Sequence, residues 1–167
     1  MKLSLKGRKM RIMKSEAKIW NESYSGGGNI VFYPHEEIVR FINRYVRKRT
    51  GIEDFENVMK LSQTGWEEFR SLDLGCGIGR HVKLLDEFHL NPYGIDISST
   101  AIEMGKEWFR RIGKKYLADK LEVGSITDMP YERESINIVV SHGVIDSMPN
   151  DIAETGIDEV FRVLKSG

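Results

Sequence analysis

The sequence predicts an α/β domain built on a parallel sheet with helices on both faces. Three observations carry that expectation. From Ser71 onward, short apolar runs alternate four times with helix-length amphipathic segments, the pattern of strands joined by right-handed helical crossovers. The glycine-rich turn Gly75-Cys76-Gly77-Ile78-Gly79 falls where the first apolar run gives way to the first helical pattern. The chain has 167 residues, of which 40% are hydrophobic. At that size roughly 70% of the unfolded surface is buried, enough for a core with no disulfide or metal staple.

The elements follow in order. Lys2, Lys6, Arg8, Lys9, Arg11 and Lys14 fall within the first 14 residues, which hold no acid. These six of the 25 bases leave 19 against 25 acids, so a basic arm precedes an acidic body although the total charge is zero. The arm reads as a solvated tail or as a segment directed at an anionic partner. Ser25-Gly26-Gly27-Gly28-Asn29 is a flexible joint, and a boundary is expected between an arm at residues 1–33 and a domain at residues 34–167. From Pro34 to Arg49, Ile38, Val39, Phe41, Ile42, Tyr45 and Val46 recur at helical spacing, with Pro34 suited to a first turn and Gly51 beyond the end. Residues 51–69 read as an irregular connection containing a short helix. Ser71-Leu72-Asp73-Leu74 is the first strand, Gly79 to His89 a helix, and Tyr93-Gly94-Ile95-Asp96-Ile97 the second strand. Ser98 or Ser99 caps the next helix, which carries Ala101, Ile102, Met104, Trp108, Phe109 and Ile112. Lys120 to Val123 forms the third strand, and Ile136 to Ser141 the fourth, whose continuous apolar run predicts the most central place. A last helix follows Asn150 or Asp151 and runs through Ile157, Val160, Phe161 and Leu164.

Chemistry concentrates at two strand ends. Glycines between a strand and a helix let the backbone turn sharply and approach a ligand, with helix N–H groups facing it. The spacing here is Gly-x-Gly-x-Gly, not the Gly-x-Gly-x-x-Gly of dinucleotide binders, and Asp73 stands two residues before the first glycine. An acid there suits a ligand with a cationic end better than a pyrophosphate. Asp96 lies at the carboxyl end of the second strand, where a carboxylate can accept both hydroxyls of a ribose.

Four segments in register resemble the class I S-adenosylmethionine-dependent methyltransferases. They are Leu72-Asp73-Leu74-Gly75-Cys76-Gly77-Ile78-Gly79, Tyr93-Gly94-Ile95-Asp96-Ile97-Ser98, Gly124-Ser125-Ile126-Thr127-Asp128-Met129-Pro130-Tyr131 and Phe161-Arg162-Val163-Leu164-Lys165-Ser166-Gly167. The resemblance covers residues 71–167 and implies a Rossmann-like sheet. It also implies that Asp73 and the loop of Gly75, Cys76, Gly77 and Gly79 hold the methionine part of S-adenosylmethionine, that Asp96 takes the ribose hydroxyls, that Ile97 packs on the adenine, and that Ser125 and Ile126 meet the adenine edge. Ser125 stands where family members commonly carry an acid, and Asp128 follows three residues later, so the adenine partner is open between them. Asn137 replaces a usual aspartate before the fourth strand.

The fourth strand ends in Ser141-His142-Gly143, which the resemblance places beside the transferable methyl. His142 is the candidate catalytic residue, as a proton acceptor or as a ring packed over the cofactor, and Asp146 is the next titratable group. Trp20, Tyr24 and Tyr33 flank the glycine joint and suit either a core or a lid over the cofactor, with Tyr24 and Tyr33 the candidate contacts. His35, His81 and His89 show no ligand spacing with the single Cys76, so no metal site is expected. Methyl transfer from a sulfonium needs alignment and desolvation more than covalent help. No Asn-Pro-Pro-Tyr or Asp-Pro-Pro-Tyr tetrapeptide follows the fourth strand, and a small-molecule acceptor is expected, with S-adenosylhomocysteine as the coproduct. Neutral net charge speaks against nucleic acid, the one cysteine suggests a reducing, cytoplasmic setting, and no apolar run reaches membrane-spanning length. The family's later strands have no counterpart after Leu164-Lys165-Ser166-Gly167. That suggests a truncated, inactive fragment of a longer protein, a cofactor-binding module completed by another chain, or self-association through the open sheet edge.

Overall fold

The computed structural model describes residues 5–61 and 65–166. Helix α1, Leu5–Ser25, is continuous through most of the basic arm, so Lys6 to Lys14 lie on a helix and not on an extended tail; Lys2 is outside the described residues. The glycine joint closes this helix. Gly26, Gly27 and Gly28 return their N–H groups to the carbonyls of Glu22, Tyr24 and Ser23, with Gly27 at φ 80°, a left-handed helix ending that glycine adopts without a Cβ penalty.

The helix expected from Pro34 to Arg49 is shorter. Helix α2 spans Glu36–Phe41, with the His35 imidazole capping it by accepting from the Glu37 N–H, and one π-helical turn carries the chain through Ile42–Val46. There it becomes strand β1, Arg47–Arg49, paired antiparallel with β2, Phe55–Asn57. The helical periodicity is overridden by tertiary bonding. The Val46 carbonyl accepts from the N–H groups of Val58 and Met59, and the Arg47 guanidinium donates to the carbonyls of Phe88 and His89 beside the rings of Phe55 and Trp66. The short helix of the connection is a single 3-10 turn at Trp66–Glu68.

The central sheet forms as the alternation requires. Strand β3, Ser71–Leu74, leads to helix α3, Arg80–Glu87; β4, Pro92–Asp96, to α4, Ser99–Arg111, capped by Ser98. A short helix α5, Lys115–Ala118, absent from the sequence reading, precedes β5, Leu121–Val123. Strand β6, Ile138–Ser141, is followed by α6, Asn150–Val163. The four strands are parallel in the order β5-β4-β3-β6. The fourth strand is therefore, like β5, an edge strand among the described residues and not the central one. Its apolar run reflects two covered faces, since Ile138 and Val140 join a core with Ile42, Val46, Phe69 and Leu85 on one side while Val139 packs towards Leu72, Leu74, Ile95 and Val163 on the other. Covered faces say nothing about paired edges. Helix α6 buries Ile152, Gly156 and Val163, but Phe161 is 73% exposed.

Candidate active site

The carboxyl ends of β3, β4 and β6 open on a cleft of about 310 Å³. Strand ends gather binding loops because the chain must turn there before each helix. The glycine loop after β3 is tied to β4 from above: the N–H groups of Gly75 and Cys76 both donate to the Ile95 carbonyl, and the Gly77 N–H donates to Asp96 Oδ2 at 2.8 Å. Gly75 and Gly77 have φ of 70° and 54°, and a Cβ on either would collide, with Val144 at the first and the Tyr24 hydroxyl at the second. A side chain in this loop would fill the space a ligand needs.

Asp96 organises the site. Its Oδ2 takes the Gly77 N–H, its Oδ1 takes the Ser98 N–H at 2.8 Å, and the carboxylate keeps further lone pairs on the cleft. Burial outweighs these two donors and raises its carboxyl above the ordinary aspartate range. Ile97, Gly124 and Ile126 continue this wall, and Cys76 joins it with the thiol nearly buried. Burial, reinforced by Asp73 and Asp96, pushes the Cys76 thiol well above its usual value. Thiolate is the reactive form, so iodoacetamide is expected to label the native protein at least about tenfold more slowly than the urea-unfolded chain. Equal rates, followed by mass spectrometry, would contradict the buried placement.

Three expected contacts are placed differently. Asp73 does not line the cleft: it is 1% exposed, its carboxylate has no hydrogen-bond donor among the described residues, and His81 Nδ1 lies 3.5 Å away. It is still inside the sheet, between Gly94 and Val140, so its side chain meets a covering helix before the strand end is reached. Tyr33 is 83% exposed and contributes only its carbonyl, to Arg80. Ser125 bonds to Thr127 through its hydroxyl and lines a smaller neighbouring hollow with Met13 and Ile97. Asp128 is exposed and pairs with Ser125 through backbone.

The N-terminal segment supplies part of the wall. Trp20, Tyr24, Asn29 and Val31 line the cleft, and Tyr24 is 9% exposed with its hydroxyl over Gly77. A contact with no sequence signal holds α1 in place: Asn21 Oδ1 accepts from the Ser98 hydroxyl at 2.7 Å and the Thr100 N–H at 3.1 Å.

His142 and His81 line the opposite side of the cleft, and His35, outside that lining, packs on His142; sequence spacing leaves the three unconnected. The His35 and His142 rings lie 3.8 Å apart between centroids, tilted by 33°, and His81 meets His142 edge-on at 6.1 Å. The His35 N–H donates to His81 Nε2 at 3.1 Å. Arg80 donates to His142 Nδ1 at 3.4 Å and to the Tyr33 carbonyl at 3.3 Å. Partial desolvation, with His35, Arg80 and His81 beside it, lowers the His142 pKa. Among the described residues no three metal-ligating side chains converge.

A glycine loop after β3, a carboxylate at the end of β4 and an apolar wall beside them, gathered at the strand ends of a parallel sheet, define an α/β domain with its cleft at the carboxyl edge of the sheet. The comparisons make it specific. The methyltransferase domain family matches residues 72–167, and the chain belongs to that family. Its fold is that of the S-adenosylmethionine-dependent methyltransferases. Over 150 residues it is 25% identical to a sterol 4-C-methyltransferase of Caenorhabditis elegans, covering 84% of this chain and 40% of that protein. A Pyrococcus horikoshii OT3 structure is 26% identical with a TM-score of 0.54, covering 57% of this chain and 44% of that one. A Methanococcus maripaludis structure assigned as an S-adenosyl-L-methionine-dependent methyltransferase has a TM-score of 0.57 at 20% identity, covering 92% of this chain and 60% of that one. The chain spans about two fifths of the length of the curated relatives it matches. Among the described residues no helix is long and apolar enough to cross a membrane.

Proposed function

We propose that the cleft binds S-adenosylmethionine and that the domain transfers its methyl group to a small-molecule acceptor. The observation that carries this reading is Asp96, a cleft-lining carboxylate that holds the glycine loop by the Gly77 N–H and keeps acceptor capacity for a ribose. Ile97 and Ile126 supply the apolar surface for a base, and the loop at Gly75 and Gly77, roofed by Tyr24, supplies close backbone approach for an amino acid tail. Asp73 acts behind the loop as a buried negative charge that favours a cationic tail in front. The bound cofactor supplies an electrophilic methyl on a good thioether leaving group. The residues around the cleft align the acceptor with that methyl and exclude water.

Calorimetric titration tests the reading. Both S-adenosylmethionine and S-adenosylhomocysteine are expected to bind, and the absence of heat at about 1 mM, a free energy of only some 4 kcal/mol, would refute it.

The second reading rests on the outer edge of β6, which is bridged at its approach by Ile136 to Leu164 but has no strand partner along Ile138–Ser141 among the described residues. An unpaired edge is a template for another strand, which supports self-association there. Light scattering is expected to show mass rising with concentration, and a constant monomer mass would exclude it.

A further inference from the structure

The cluster on the β6 side of the cleft has hydrogen-bonding capacity that its contacts within the described residues leave unused. Arg80 lines the cleft half-buried and pairs with no carboxylate among the described residues; its contacts are one backbone carbonyl and one imidazole nitrogen. A guanidinium has five donors and stays charged, so most of its hydrogen-bonding capacity is unspent.

The His142 imidazole adds a donor. Arg80 can only donate, so its contact requires His142 Nδ1 to be unprotonated, and the neutral ring then carries its proton on Nε2. His35 is set in the same way, because its Nδ1 accepts from the Glu37 N–H at 3.3 Å. Neither Nε2–H has a partner among the described residues. With Nδ1 facing Arg80, His142 presents its Nε2–H as a donor. His81 holds the group together by accepting the His35 N–H and packing against buried Asp73.

Topology separates this cluster from the sugar end. Asp96 ends β4 and His142 follows β6, and the two strands flank β3 on opposite sides. Two strand spacings make about 10 Å. The cleft is thus polarised, with Asp96 at one end and the Arg80 guanidinium and the His142 imidazole at the other, the His35 ring being stacked on His142 outside the lining. We propose that Arg80 and His142 form a subsite for a carboxylate group of the methyl acceptor. The inference rests on the methyltransferase reading for the identity of the acceptor, but not for the carboxylate. A carboxylate matches the fork of a guanidinium and takes the His142 Nε2–H on a remaining lone pair, with His35 holding the His142 ring in place by stacking.

Phenylacetate and phenylacetamide, of nearly equal shape, are the probes, titrated into the protein saturated with S-adenosylhomocysteine and followed by the imidazole NMR signals of His142 and His35. The acid is expected to bind at least about tenfold more tightly than the amide, since hydrogen bonds to a charged group are worth about 1.5–3 kcal/mol. It is also expected to raise the His142 pKa, a shift that a merely structural histidine would not show. Arg80→Met is expected to remove at least about tenfold of the acid's affinity, with Arg80→Lys retaining part of it. Equal binding of acid and amide to the unaltered protein would overturn the proposal without any variant. So would an Arg80→Met protein that loses S-adenosylhomocysteine but keeps methylthioadenosine, which lacks the amino acid end, because Arg80 would then hold the cofactor's own carboxylate. Acid-selective binding by a protein that binds no S-adenosylhomocysteine would uphold the carboxylate subsite and refute the cofactor reading.

Discussion

Replacement of Asp96 by alanine is expected to weaken S-adenosylhomocysteine binding by two to three orders of magnitude. Two ribose hydroxyls donating to one carboxylate contribute about 1.5–3 kcal/mol each, and about 3–4 kcal/mol corresponds to that factor. The loss has a second origin, because the Gly77 and Ser98 N–H groups both rest on the same carboxylate and the loop loses its tether. Asp96→Asn keeps one acceptor oxygen and should fall between the two. Acid should mimic the substitution. The Asp96 carboxyl titrates above its ordinary 3.8 because burial disfavours the charged form. Affinity that depends on the ionised form is therefore complete above the raised value and lost as pH falls through it, at a less acidic pH than an exposed aspartate would give. The same shift has the opposite sign for the stability of the ligand-free protein. The folded state binds the proton more tightly than the unfolded one, so stability from this group grows as pH falls from the folded value towards 3.8. Calorimetry across pH on the parent and the asparagine variant checks both signs. Affinity within threefold of the parent in Asp96→Ala would remove the ribose assignment.

Gly105→Ala is expected to destabilise the protein by about 2 kcal/mol, the reverse of what local rules give. Glycine in the middle of a helix ordinarily costs about 1 kcal/mol relative to alanine, and on that ground α4 should gain. In the fold, a Cβ at Gly105 would lie 2.6 Å from the Ile78 carbonyl oxygen and 2.8 Å from Leu121 Cδ1. The first is backbone of the glycine loop and cannot rotate away, and overpacking of this kind costs about 1–3 kcal/mol. The strain falls on the loop that faces the cleft, so S-adenosylhomocysteine affinity should fall as well. Urea unfolding would show a lower midpoint at unchanged slope; a higher midpoint would mean that α4 and the loop do not meet as described.

The glycine loop after β3 and the acid that ends β4 are each legible in the residues at their own strand end, although the Gly77–Asp96 bond that joins them is not. Gly75, Gly77 and Asp96 act through backbone geometry within a few positions of a strand-to-helix turn, and a short window of sequence contains each motif. That Asp73 is buried beside His81 and does not line the cleft is not legible in the same window, which does not show which way a residue one step inside a central strand must face. Tyr33 was misplaced because an aromatic beside a glycine joint fits an exposed position as well as a cleft wall. Asn21 carried no signal, since its partners Ser98 and Thr100 are 77 and 79 residues away.

The alternation of apolar runs, the glycine spacing and the acid ending the second strand determined the class of fold, the place of its cleft and the family, because each is a local consequence of backbone period and turn chemistry. The order of the strands, the end of α2 at Phe41 and of the π-helical turn at Val46, and the meeting of His35, Arg80, His81 and His142 were decided by tertiary structure alone. Parallel pairing of β6 with β3 brings together side chains from distant parts of the chain, and the burial of His81 beside Asp73 and the hydrogen bonds of His35 and Arg80 follow from it. Neither the pairing nor the burial is a property of any short stretch of residues.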